Sequence, residues 1–352
     1  LKLAIICDTH FGIRGDSQVF FSHQKKFFET IFFPKLKEEN ITTLLHLGDL
    51  FDRRKYINFL TLQQSKSWFL DPLKEAGVQM HIVVGNHDVF YKNTNDINSL
   101  KLLLAEYDNI QVIEKEPVEL TFDSLVVMLC PWITTDNIDL CLEKIKHTRA
   151  PYLMGHFEFL GFEMMRGQLS THGFDRAEFK KFEQIFSGHF HHPSSSDNIS
   201  YLGAPYEMTW SDSEGRRGFH ILDTETLDLE FVSNPYRMFN KIEYNDLNIS
   251  AEELENIDLT FLANSYVKVV TTSATNGYLL DVFLDKLQEM NPVDVKVIVD
   301  TPVDLIATSE SFSEAQDTPT LLNAYVDSLS TEYKSELNSL LLSLYQEAQS
   351  IT

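Results

Sequence analysis

A chain of 352 residues, 43% of them apolar, is long enough for more than one core, and a formal charge of −23 (52 acidic against 29 basic residues) excludes tight binding of bare nucleic acid through a basic face of its own. Three cysteines, Cys7, Cys130 and Cys141, include no CxxC pair, which excludes a disulfide framework or a thiolate metal site and fits a reducing cytoplasm. No run nears the roughly 18 apolar residues of a membrane span, and the opening LKLAIICD lacks the basic region and cleavage site of a secretion signal; because it begins at Leu1, a start residue is expected ahead of it.

Over the first two hundred residues, short β-branched runs alternate with longer helical patterns. LKLAIIC precedes a helix around FFSHQKKFFETIFFPKLKEEN, TTLLHL one through LTLQQSKSWFLDPLKEAG, and MHIVV one at SLKLLLAEY. Such alternation predicts an α/β fold with helices outside the sheet. Further strands are expected at LVVMLC, PYLM, QIFS, SYLG, FHILD and LDLEFV, with shorter connections that suit a second or mixed sheet. From Tyr236 to Asp258 the pattern turns acidic and weakly periodic, after which YVKVVTT, a helix LLDVFLDKLQEM and VDVKVIVD predict a small βαβ unit. Residues 301–317 have the composition of a linker. Beyond them Leu321, Leu322, Tyr325, Val326 and Leu329, then Tyr333, Leu337, Leu340, Leu341, Leu344 and Tyr345, fall at helical spacing.

The residues that end each run carry the chemistry. AIICDTH places Asp8 and His10 after the first strand, LLHLGDLFD places Asp49 after the second, and HIVVGNHD places Asn86, His87 and Asp88 after the third; YLMGHFE delivers His156, and IFSGHFHH delivers His189 and His191. In open α/β sheets, ligands bind beyond the carboxyl ends of the strands. Gly48, Gly85, Gly155 and Gly188 each stand one residue before a polar group, where the chain must leave its strand sharply. Any one of these motifs is weak, since a lone Gly-His is more often a satisfied histidine than a ligand. Together, carboxylate and amide oxygens mixed with imidazoles, and no thiolate, suit a pair of divalent cations. One carboxylate bridges, imidazoles give directional neutral ligands, and open positions remain for a hydroxide and a phosphate oxygen, so phosphoester hydrolysis is the expected reaction. In GHFH, alternate residues of an extended segment share a face, so His189 and His191 can each reach a different cation while His192 points elsewhere.

The ordered blocks DTH, GDLFD, GNHD, GH and GHFH resemble those of the calcineurin-like metallophosphoesterases over residues 1–222. With the smaller domain and the terminal helices included, the chain resembles the SbcD-type nuclease subunit of the double-strand-break repair and recombination complex, especially its phage recombination-endonuclease version, which would work in a host cell's cytoplasm. The resemblance implies an α/β fold: a two-sheet metallophosphoesterase sandwich flanked by helices as the nuclease domain (1–235), a small α/β capping domain for DNA recognition (236–300), a linker (301–317) and C-terminal helices that bind an ATPase partner (318–352). It implies one cation held by Asp8, His10, Asp49 and His191 and a second by Asp49, Asn86, His156 and His189, with Asp49 bridging; the metal would be Mn²⁺, with Mg²⁺ the alternative. His87 matches the family's catalytic histidine, which contacts the scissile phosphate. Asp52 stands where many cellular relatives carry a second histidine, and is expected to accept a hydrogen bond from His87. Arg53, Arg54, Lys55 and, between the histidine blocks, Arg166 are candidates for the DNA backbone, a solvated loop being the other reading of the triplet. No role is expected for His23, His46, His81, His147, His172, His192 or His220.

From Asp300 onward, nine carboxylates face Lys334 alone, so the tail is not expected to hold DNA. Two short amphipathic helices cannot bury their apolar faces fully against each other, which makes Leu321, Leu322, Tyr325, Leu337, Leu341 and Leu344 candidates for a partner's groove; a hairpin folded back on the parent domain is the alternative. The resemblance implies that the partner is an SMC-like ABC-type ATPase (SbcC-type), whose basic surface would reconcile the acidic charge with a DNA substrate. It also implies a nuclease homodimer, formed through helices early in the first domain, within a heterotetramer. The expected function is a manganese-dependent DNA nuclease, exonucleolytic on duplex ends and able to cut single strands internally, in DNA repair and recombination. A metallophosphatase or small phosphodiesterase of the same fold, and a DNA-end-tethering subunit whose hydrolysis is dispensable, stand beside it.

Overall fold

Strands form at the expected apolar runs in the computed structural model, which describes residues 1–299 except 166–167, 214, 248 and 274–275, and beyond them Val326, Tyr333, Lys334, Leu337, Ser339, Leu340 and Leu341. Four parallel strands, β1 (Lys2–Ile6), β2 (Thr43–His46), β3 (Gln79–Val83) and β4 (Ile110–Ile113), are joined by helical crossovers. β5 (Val118–Phe122) pairs antiparallel with β6 (Leu125–Cys130), which runs parallel to β7 (Tyr152–His156). A two-strand hairpin, β8 (Glu163–Met165) and β9 (Gln168–Leu169), follows. β10 (Gln184–Gly188) lies parallel to β7, and β11 (Ser194–Ser196) folds back on β12 (Ile199–Tyr201) at the other flank of β10. β13 (Gly218–Asp223) returns antiparallel to β1, and β14 (Leu229–Ser233) closes that edge. Two six-stranded sheets result, ordered β14-β13-β1-β2-β3-β4 and β11-β12-β10-β7-β6-β5.

The period of two along each strand makes the sandwich. Leu3, Ile5 and Leu45 face inward to share a core with Val127, Leu129, Met154 and Phe186 of the second sheet. Ala4, Ile6, Leu44, Met80 and Ile82 face outward onto helices. The far side of the second sheet, through Met128, Leu153 and Ile185, packs under Cys141 and Ile145 of the helix Ile138–His147. All three cysteines are buried free thiols that act as small hydrophobes.

The helical stretches 18–38 and 59–75 each contain a π-helical turn, Phe28–Phe32 and Lys66–Leu70, closely followed by Pro34 and Pro72. Proline has no amide hydrogen and its ring crowds the carbonyl four residues back, so the turn before it widens. The two widened turns meet, with the rings of Phe28 and Phe69 4.9 Å apart and both fully buried.

A third sheet contains β15 (Phe239–Asn245), β16 (Tyr266–Ser273) and β17 (Asp294–Val299), packed against the helices Ala251–Asn256 and Gly277–Glu289. The sequence predicts β16, the second helix and β17; β15 lies in the stretch read as weakly periodic. Residues 1–298 form one compact unit, so the boundary expected at 235/236 falls within it, in the connection between β14 and β15. Residues 299–352 form a second unit, in which Leu337 and Leu341 are helical and half-buried. Arg166, the linker, and Leu321, Leu322, Tyr325 and Leu344 lie outside the described residues. No helix among the described residues is long and apolar enough to cross a membrane.

Candidate metal centre

Side chains at the carboxyl ends of β1, β2, β3, β7 and β10 converge, because the loops there bend out of their strands at once. Gly48 has a φ of 90°, and a Cβ on it would lie 2.6 Å from His156 Nδ1; a Cβ on Gly85 would collide with the Asp49 carboxylate. Glycine at these two positions lets the Asp49 and Asn86 loops touch. The backbone is left-handed at four of the candidate ligands themselves, Asp8 (φ 54°), His10 (42°), Asp49 (56°) and His189 (91°), a conformation uncommon outside glycine and a local store of strain.

Among the described residues, three groups of side chains offer ligand atoms within 4.8 Å of one another: Asp8, His10 and His191; His10, Asp49 and His87; and Asp49, His156 and His189. Asp49 links them. Its Oδ2 lies 3.6 Å from His10 Nε2 and 3.3 Å from His156 Nε2, while its Oδ1 accepts from the His87 amide at 2.7 Å. Asn86 Oδ1 sits 2.8 Å from His156 Nε2 and 2.9 Å from His189 Nδ1, and His191 Nε2 sits 3.2 Å from His10 Nε2. All seven predicted ligands are thus brought together, with His87 beside them.

The electrostatics fit a cation pair. Burial opposes charge on His10, but the hydrogen bond to Asp52 and the Asp49 charge raise it to about 9; burial likewise opposes charge on His156, and Asp49 raises it to about 9. Burial opposes ionisation of Asp49, which His156 chiefly, with His87 and His10, holds well below the carboxylate range. Burial keeps His189 down at about 3 and His191 at about 4, so both are neutral and already in ligand form. The same carboxylates that raise His10 and His156 would attract divalent charge, and the donor set of hard oxygens and imidazole nitrogens is one that such ions accept.

Two contributors are given no role by the sequence reading. Asp88, the last residue of GNHD, accepts the amides of Gly85 and Asp49 at 2.9 Å each, Leu50 at 3.1 Å and Phe51 at 3.4 Å, tying the two ligand loops together. Burial and the Asp49 charge push its carboxyl up to about 7 against those donors. Trp132, just past β6, places its ring 5.2 Å from that of His189 and 5.8 Å from that of His156, and no motif marks it.

The expected hydrogen bond from His87 to the Asp52 side chain is corrected by the structure. His87 Nδ1 meets the main-chain carbonyl of Asp52 at 2.5 Å, whereas the Asp52 carboxylate faces His10 Nδ1 at 3.4 Å. The cause is a bridge between Phe11 and Phe51, continued by the Asp52 amide donating to the Phe11 carbonyl at 3.0 Å, which pins residue 52 alongside the first ligand loop. Of the basic triplet, Arg53 pairs with Asp16 at 3.0 Å, Arg54 Nε donates to the Asn86 carbonyl at 2.7 Å, and Lys55 is exposed.

A model of the calcineurin-like phosphoesterase family matches residues 1–193. The chain is 31% identical, over 356 residues and 99% of each chain, to exonuclease subunit 1 of Enterobacteria phage T4. It is 22% identical, over 385 residues and 96% of each chain, to the SbcD subunit of the SbcCD nuclease from Staphylococcus epidermidis. A solved structure described as a novel archaeal phosphodiesterase aligns with a TM-score of 0.33 and 12% identity, covering 66% of this chain and 100% of that one. With a family match over more than half its length, and likeness to the phage protein end to end, the chain belongs to the calcineurin-like phosphoesterases, a family of phosphoester-hydrolysing enzymes.

Proposed function

We propose that this chain is the DNA-cutting subunit of a two-component nuclease that hydrolyses phosphodiester bonds with two divalent cations and works with an SMC-like ABC-type ATPase in double-strand-break repair and recombination. The observation that carries this is Asp49: a buried carboxylate with one oxygen between His10 and His156, at the junction of two ligand groups, the place of a bridging ligand. An exonuclease subunit and a subunit of a nuclease complex as full-length relatives support the substrate and the partner. Asp8, His10, Asp49 and His191 would hold one cation and Asp49, Asn86, His156 and His189 the other, with Mn²⁺ suited to this mixture of oxygen and imidazole donors.

When bound, the cations supply a hydroxide at neutral pH and neutralise the phosphate oxygens. The chain does the rest. His87 commits Nδ1–H to the Asp52 carbonyl and leaves Nε2 for the reacting phosphate; in the doubly protonated imidazolium form, Nε2 would give its proton to the leaving oxygen and His87 would be left neutral. The Asp52 carboxylate lies 3.4 Å from His10 Nδ1, on the side of the ring away from the Nε2 that faces Asp49. Trp132 walls off the side lined by His156 and His189.

The homodimer forms through the helices Phe59–Ser65 and Ser99–Leu103. Phe59 is 90% exposed and Leu102 68%, and with Tyr56, Ile97 and Leu103 they line a groove of about 230 Å³. Exposed apolar side chains this close together on so acidic a chain favour an isologous contact with a second copy. Leu337 and Leu341, one helical turn apart, belong to the face offered to the ATPase.

The test incubates the purified chain with Mn²⁺ and a labelled linear duplex, with and without the ATPase, beside Asp49→Ala. Nucleotide release that the partner increases and the variant lacks is the expected result. Hydrolysis of small phosphoesters without any DNA cleavage would replace this reading with a phosphatase, and undiminished cutting by Asp49→Ala would remove the cation pair from it.

A further inference from the structure

His189 and His191 leave the same strand, yet they are held by different means. The His189 amide donates to both Asp8 oxygens at 3.0 and 3.1 Å, and its ring meets Asn86. His191 lies two residues further on, in a loop without regular structure, so the direction of its ring follows from how its main chain is fixed. Its carbonyl accepts the Ala204 amide at 3.1 Å and Arg217 Nη1. Arg217 precedes β13 in the first sheet, whereas His191 follows β10 in the second, so this one side chain spans the two sheets at the edge of the site.

Arg217 is itself buried and hydrogen-bonded. It is 2% exposed, and its Nη2 donates to Asp212 Oδ1 at 3.1 Å and to the Asp212 carbonyl at 3.3 Å. The other Asp212 oxygen accepts the amides of Met208 and Thr209 at 2.8 Å each. A planar guanidinium offers its donors in a fixed fork, so an Asp212 anchored by main-chain amides sets the direction in which Arg217 reaches His191.

We propose that Arg217 is a positioning residue for His191 and that the Arg217–Asp212 pair builds one of the two cation sites, the one formed by Asp8, His10, Asp49 and His191, selectively. This rests on the dinuclear reading above. The site of Asn86, His156 and His189 takes its order elsewhere, since His156 ends β7 with Nδ1 2.8 Å from the Leu47 carbonyl.

Mn²⁺ titration of the cation-free protein by calorimetry, with electron paramagnetic resonance to detect spin coupling between paired ions, tests it. The wild type should bind two coupled ions. Arg217→Met should keep one ion at unchanged affinity and weaken the other by about 10-fold to 100-fold, with the coupling lost at sub-saturating metal. His191→Ala should lose the same ion, and the double variant should lose nothing more. Arg217→Lys, a point charge able to serve Asp212 or the carbonyl but not both, should fall between, and it reads the same quantity if the Met variant does not fold. Two ions bound by Arg217→Met at wild-type affinities, or equal weakening of both together with a lowered melting temperature, would overturn the assignment. A wild type that binds fewer than two ions overturns the dinuclear reading itself and the assignment with it.

Discussion

Four main-chain amides converge on the Asp88 carboxylate, so exchanging one of its oxygens for an amino group sets N–H against N–H inside the core. Asp88→Asn should therefore cost about 2–5 kcal/mol of stability and loosen cation binding, because each unsatisfied buried donor costs about 1–3 kcal/mol; an unchanged denaturant midpoint in the cation-free protein would remove Asp88 from this role. His87→Asn should keep both cations and lower kcat by about 10²–10⁴-fold. Loss of an ion in that variant, measured by titration, would instead make His87 a ligand, a part its place within 4.8 Å of His10 and Asp49 allows. At this scale, the residues whose type and position are both dictated by chemistry were legible: a carboxylate, amide or imidazole close behind an apolar strand, and in every block but the first behind a glycine. The parts played by Asp88 and Arg217 were not, because they act on main-chain atoms up to 39 and 26 residues away, which no local pattern encodes. For Asp52 the contact with His87 was expected on the wrong atoms: main chain and side chain at one position serve different histidines, and a sequence does not say which faces which.

Proline within an otherwise helical pattern is a visible signal at the scale of elements, in FFPKL and LDPLK, but its outcome, a π turn in each helix rather than a break, depends on the Phe28 and Phe69 rings packing into each other. Phe69→Ala should cost about 3–5 kcal/mol in denaturant melting, the range for emptying a fully buried aromatic site; a loss under 1 kcal/mol would mean that the helices repack around the space. Strands buried on both faces were legible as apolar runs, β1, β6 and β7 among them. β15 was missed for the opposite reason. Lys241 and Glu243 are exposed while Ile242 and Tyr244 pack on the helices, so a half-buried strand of only seven residues was averaged into the acidic segment that follows it.

The whole molecule combines a charge of −23 with a polyanionic proposed substrate, and salt is the lever that reads the consequence. Alone, the chain should bind linear duplex weakly, with a shallow dependence of log K on log salt, and the ATPase should steepen that slope by adding phosphate contacts; a steep slope for the isolated chain would place a basic DNA track within it. Phe59→Glu should turn a dimer into a monomer in sedimentation without altering cation stoichiometry, and a persistent dimer would move the interface off this patch. Acid should weaken the fold through two histidines held neutral. Burial, with Lys26 for His23 and Arg216 for His220, lowers both to about 4 from 6.5, so their contribution is complete above pH 6.5 and is lost as pH falls toward 4, by at most roughly 3 kcal/mol each. His220→Phe should flatten that decline in the cation-free protein; a melting curve that tracks the wild type from pH 7 to 4 would exclude it. The left-handed backbone at Asp8, His10, Asp49 and His189 sets heat resistance against chemistry at the same four positions. Glycine in any of them would relax the chain and delete a proposed ligand at once, so a lineage bred only to survive heating would drift toward glycine there, ending as a sturdier and inert protein.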